Sequence, residues 1–86
     1  MSYYALEVDL PVEDEAAHAG LLGHKHTPAG DVEVEATSAQ LGEVCTFRIL
    51  GEMPAILTFL AGLWESYEEA LDELGRARAE DRLQLA

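Results

Sequence analysis

Basic residues are scarce in this chain. Five Lys and Arg, of which Lys25 is the only lysine, stand against seventeen Asp and Glu, giving a formal net charge of −12 over 86 residues. A shortage of that size argues against direct binding to nucleic acid or to an anionic membrane, because phosphates and lipid headgroups repel such a surface. Cysteine is limited to Cys45, which excludes an internal disulfide. Inside an apolar stretch it reads as a reduced, packed thiol, and a cytoplasmic protein is expected. The longest apolar run, Pro54 to Trp64, is far short of the roughly 20 residues that a bilayer needs. The start, MSYYALEVDL, lacks a basic region and reaches an acid at Glu7, so neither a signal peptide nor a membrane span is expected. A glycine-rich phosphate loop is missing too, since Gly20, Gly23 and Gly30 lack the strand and helix context that would give them that meaning.

What is present is enough for a folded domain. Hydrophobic residues make up 49% of the chain, which separates it from disordered acidic tails. A single domain spanning residues 1–86 is expected, able to bury roughly 60 to 65% of the surface its unfolded chain exposes.

Hydrophobic periodicity divides the chain into elements. Tyr4, Leu6, Val8 and Leu10 alternate with Tyr3, Ala5, Glu7 and Asp9, which predicts a strand over 3–10 that Pro11 stops. The segment 13–20 predicts a short helix with acids in its first turn, where the helix dipole favours them. GHKHTPAG, residues 23–30, reads as a loop, having two Gly, a Pro and no periodicity. Alternation returns over 31–37, with Val32, Val34 and Ala36 on one face and Asp31, Glu33 and Glu35 on the other. After a turn at Ser38 to Gly42, a third strand over 43–50 turns Cys45, Phe47 and Ile49 inward, and these two strands predict a hairpin. Keeping the faces consistent sets Val34 opposite Phe47 and Glu33 opposite Arg48, which makes Arg48 the expected cross-strand partner of Glu33.

Pro54 then opens a long helix over 54–74, with Met53, Leu57, Leu60, Trp64, Tyr67, Leu71 and Leu74 as its stripe and Gly75 as its C-cap. The tail, residues 76–86, reads as further helix or as a frayed end. The expected fold class is therefore α+β: a three-stranded antiparallel sheet packed on one face by a long C-terminal helix, with a short helix in the first crossover. Between Ala55 and Trp64 only Thr58 is polar, so that half of the helix needs cover on a second side. Leu21, Leu22 and the tyrosine pair, a partner or a second copy of the chain could each provide it.

No residue pattern points to catalysis. Seventeen carboxylates offer many acid and base pairs, but most fall on expected solvent faces, and Cys45 points inward. His18, His24 and His26 lie close in sequence without a second pair of Cys or His, so they read as incidental, and neither a metal nor a cofactor is expected. The acids carry the strongest pattern. Asp31, Glu33 and Glu35 project at every other strand residue, a repeat of roughly 6.7 Å, close to the spacing of successive phosphates on a nucleic-acid strand. Glu65, Glu68, Glu69, Asp72 and Glu73 crowd the second half of the long helix, where like charges a turn apart repel. Rows of carboxylates with almost no interspersed Lys can imitate the field of a nucleic-acid backbone and occupy a basic groove on another protein.

In size, acidity and lack of catalytic motifs the chain resembles phage-encoded anti-CRISPR proteins and other small DNA-mimic proteins. The likeness covers properties rather than residues. It implies an inhibitor that blocks a basic nucleic-acid-binding protein or complex, with those eight acids as contacts. Two other readings accompany it: an assembly or regulatory module acting through the apolar half of the helix, and adaptation to a salty cytoplasm, which predicts acids on every surface.

Overall fold

The structure, a computed structural model, describes residues 2–12, 14–37 and 44–86. The expected turn at Ser38 to Gly42, and Glu13 and Glu43 at which an expected helix and strand begin, lie outside those residues. The elements run β1 (Tyr3–Pro11), α1 (Glu15–Leu21), β2 (Gly23–Thr27), β3 (Gly30–Ala36), β4 (Val44–Glu52), α2 (Met53–Trp64), α3 (Tyr67–Ala79) and β5 (Leu83–Leu85). The fold is α+β: the five strands form one antiparallel sheet in the order β2-β3-β4-β1-β5. Leu6, Val8 and Leu10 of β1, Val32 and Val34 of β3, and Cys45, Phe47 and Ile49 of β4 build the inner face of the core. Ile56 and Leu60 of α2 and Ala70, Leu74 and Ala77 of α3 close over them. The ring of His18 on α1 sits 5.4 Å from that of Phe47. No helix among the described residues is long and apolar enough to cross a membrane.

Two strands exceed the three expected. GHKHTPAG is not a loop: Gly23–Thr27 is an edge strand paired with β3. Its inward positions are Gly23, Lys25 and Thr27, so it carries no hydrophobic alternation to read. Lys25 lays its stem on that side and donates from Nζ to the Gly20 carbonyl at 2.6 Å. The turn behind it is built from side chain and glycine. The Thr27 hydroxyl donates to the Gly30 carbonyl at 2.6 Å and accepts from the Ala29 amide at 3.2 Å. Pro28 occupies the second turn position, and Gly30 follows at φ +132, a conformation that side-chain-bearing residues rarely adopt. The tail is the other addition: residues 76–79 continue as helix, as one of the two expectations had it, and Leu83–Leu85 then pairs with Tyr4–Leu6.

The β3–β4 hairpin forms, but its register is two residues from the expected one. Val34 is opposite Ile49, Ala36 opposite Phe47 and Glu35 opposite Arg48, while Glu33 faces Leu50. A two-residue shift keeps every side chain on its face, so the hydrophobic pattern cannot detect it. The long helix is two helices. Glu65 turns left-handed at φ 54, and Ser66 caps α3 by accepting the Glu69 amide at 3.2 Å. Ser66-Tyr67-Glu68-Glu69 is a capping sequence that the continuous apolar stripe concealed.

The break rephases the second half. Tyr67 and Leu71, expected in the core, are exposed, and Ala70, Glu73, Leu74 and Ala77 face inward. Gly75 lies inside α3 rather than at its end. The true end is at Glu80, where Asp81 turns left-handed at φ 58 and the Arg82 amide reaches back to the Ala77 carbonyl at 2.7 Å.

Candidate protein-interaction face

The helices cover one side of the sheet, and most of the residues that alternate onto the other side are exposed or half-buried, Ala5 being buried. Glu7 and Asp9 of β1, Asp31, Glu33 and Glu35 of β3, and Arg48 of β4 are exposed there. Arg48 stands between two acids, opposite Glu35 on one side and Glu7 on the other. Glu33, its expected partner, is instead reached from the edge strand. His24 Nδ1 lies 3.2 Å from Glu33 Oε1, and His24 Nε2 lies 3.0 Å from Asp31 Oδ2. His26 Nδ1 completes the cluster at 2.6 Å from Asp31 Oδ1.

These contacts move the proton equilibria in opposite directions. The bonds from Glu33 and then Asp31 raise the pKa of His24, because both carboxylates favour the imidazolium. The bond from His26, helped by His24, lowers that of Asp31. The sequence pattern gives the two histidines no role, because their partners become neighbours only once residues 23–27 are a strand.

Along β1 the acidity turns the corner of the sheet. β5 pairs with β1 from Tyr4 to Leu6, and Arg82 extends the contact to Glu7, whose amide donates to the Arg82 carbonyl at 2.9 Å. Asp9 accepts from the Thr46 hydroxyl at 2.6 Å and also lines a cleft of about 380 Å³ with Trp64, Glu69, Asp72, Glu73 and Arg76. A second cleft, about 430 Å³, opens beside Glu7, Arg48 and Arg82.

The eight acids singled out from the sequence fall into three environments. Asp31, Glu33 and Glu35 share the open sheet face. Glu65, Glu68, Glu69 and Asp72 are exposed at the junction of α2 and α3 and along α3, in the helical layer. Glu73 is 7% exposed and taken up by two arginines, with Arg76 Nη2 at 2.9 Å and Arg82 Nη1 at 2.6 Å. The same arginine ties the tail down: Arg82 donates from Nη1 to the Glu7 carbonyl at 2.7 Å and from Nε to Glu80 at 2.7 Å.

One side of the molecule carries a different chemistry. A groove of about 410 Å³ between the β2 edge and α2 is lined by Leu21, Phe59, Leu63, Lys25 and His26 among others, and no Asp or Glu among the described residues lines it. Comparison of the chain with known protein families, with curated proteins and with solved structures finds no match.

Proposed function

We propose that this chain is a protein-binding inhibitor whose acidic side imitates the charge of a nucleic-acid backbone and occupies a basic groove on a nucleic-acid-handling partner in the cytoplasm. One observation carries the reading. Exposed acids run from β3 past Glu7 and Asp9 of β1 to Glu69 and Asp72 of α3, interrupted on the sheet by Arg48, while the groove between β2 and α2 has none. Adaptation to salt would spread acids evenly, and exposed Asp14, Glu15, Glu65, Glu68, Glu80 and Asp81 do lie outside this run; the run along β3, β1 and α3 beside an apolar groove is what favours a directional partner.

The assembly reading keeps a narrower basis than the whole apolar helix. Leu60 is fully buried and so is not free to bind, Trp64 is half-buried, and the exposed Leu63 beside the groove is what favours that alternative.

The test is capture of a partner by the tagged chain from lysate, washed at low and high salt and challenged with duplex DNA. Mimicry predicts a nucleic-acid-binding complex that salt releases and DNA displaces. The triple variant Glu7→Lys, Glu35→Lys, Asp72→Lys then loses about tenfold or more in affinity at low salt, and Leu63→Glu loses little. Unchanged affinity in the triple variant retires the proposal, and the reverse pattern supports assembly through the groove.

A further inference from the structure

His24 is the one histidine on the open face with both ring nitrogens against carboxylates. A neutral imidazole has a single N–H, so one of those contacts would then set a ring lone pair against a carboxylate oxygen. Only the imidazolium donates to both. His26 adds a second ring on the same face two residues along β2, in register with Asp31 as His24 is with Glu33. Protonated, the His24 ring sets one positive charge between two carboxylates; neutral, it leaves them without that charge.

We propose that His24 is a proton switch on the acidic face, masking Asp31 and Glu33 when protonated and exposing them as bare charges when not. This rests on the acidic-face reading above and adds its regulation. The surroundings reinforce the switch. Glu35 follows Glu33 on the same face of β3, while on β4 Leu50 is opposite Glu33, Arg48 is opposite Glu35, and Glu52 lies two residues beyond Leu50. Lys25 between the two rings points to the other side and donates to the Gly20 carbonyl.

The same contacts add to the backbone pairing that holds edge strand β2 on β3, so protonation also contributes to its attachment. His24 has a raised pKa, and its contribution is therefore fully present below the ordinary 6.5 and lost as pH rises through the raised value. Asp31 has a lowered pKa, and its contribution is present above the ordinary 3.8 and lost as pH falls through the lowered value. The masked, clamped form thus occupies mildly acidic pH, and the open acidic form occupies alkaline pH. All four side chains are exposed, so salt weakens the clamp while leaving the change in charge.

Two measurements on the full chain separate the switch from the reading beneath it. NMR titration should give His24 a midpoint above 6.5, assigned by loss of its resonance in His24→Gln. The double variant Asp31→Asn, Glu33→Gln should return that midpoint to the ordinary value. Binding of polylysine at low salt should strengthen from pH 5.5 to pH 8 in the natural chain and should lose that dependence in His24→Gln, His26→Gln. Polylysine keeps its charge across that range. A His24 midpoint at or below 6.5 overturns the switch, whatever polylysine does. A raised midpoint without polylysine binding at either pH supports the switch and overturns the acidic-face reading. Binding whose pH dependence survives in the histidine double variant overturns the masking role.

Discussion

Removing the Arg82 side chain tests how the tail is fastened. Arg82 is 27% exposed and reaches Glu73, itself 10% exposed at its side chain, through a 2.6 Å contact, while the other arginine on Glu73, Arg76, is 61% exposed. Arg82→Ala therefore strands a carboxylate inside the fold with only a solvated partner, and frees the Glu7 carbonyl of its side-chain donor. Breaking a fully buried pair costs about 3–5 kcal/mol, and the partial exposure here reduces that to about 2–3 kcal/mol. Against a total stability of roughly 4–13 kcal/mol for a domain of this size, the loss is large. It should lower Tm by about 10–20 °C. Arg76→Ala removes an exposed partner and should cost at most about 1 kcal/mol. Urea unfolding followed by Trp64 fluorescence and circular dichroism, fitted with a shared slope, measures both. Losses for the two variants within about 0.5 kcal/mol of each other would refute the assignment of Arg82 as the buried partner.

Two further substitutions probe the places where the chain departs from its pattern. Ser66→Ala should cost about 1 kcal/mol and speed exchange of the Glu69 amide, since its hydroxyl caps α3; an unaltered exchange rate would mean the cap is not formed. Gly30→Ala and Gly75→Ala should have opposite signs in the same unfolding assay. The first forces a side chain into φ +132, with Ala55 Cβ 3.5 Å from the new methyl, and should destabilise by about 1–3 kcal/mol. The second replaces a glycine inside α3 with open space around it and should stabilise by about 0.5–1 kcal/mol, whereas a stabilising Gly30→Ala or a destabilising Gly75→Ala would contradict the backbone described here.

Where hydrophobic alternation set the element, the sequence was legible. β1, β3, β4 and their inward residues follow it, as do the hairpin and the α+β class. β2 was not legible because its inward positions are Gly23, Lys25 and Thr27, and β5 because Leu83 and Leu85 alone mark a three-residue strand. The helix break was legible in principle at Ser66 and Glu69, yet an apolar stripe continuing on both sides of a two-residue break looks like one helix. Register failed for a different reason: period two fixes which face a residue takes and says nothing about a shift by two. The acids were legible as a set and not as a surface. Glu73 could not be told from Asp72 until α3 was rephased, and His24 could not be joined to Glu33 until residues 23–27 were a strand.

The fate of the seventeen acids bears on why the excess is tolerated. Several have local work. Asp14 caps α1 by accepting the Ala17 amide at 2.8 Å, and Glu68 and Glu69 lie in the first turn of α3, where the helix dipole favours them. Glu73 and Glu80 share Arg82, and Asp31 and Glu33 meet the histidines. The four arginines and one lysine do not answer the rest. Lys25 is turned to a backbone carbonyl, and two arginines, Arg76 and Arg82, are drawn to Glu73. Two of the four arginines are thus spent on holding Glu73 and the tail, Arg78 is exposed on α3, and Arg48 stands among the open-face acids. Folding alone would be better served by more lysine on that face, since self-repulsion falls as opposite charges are mixed in. The open-face acids thus keep a field that Arg48 and the neighbouring His24 temper, which is what the proposed binding to a basic partner requires.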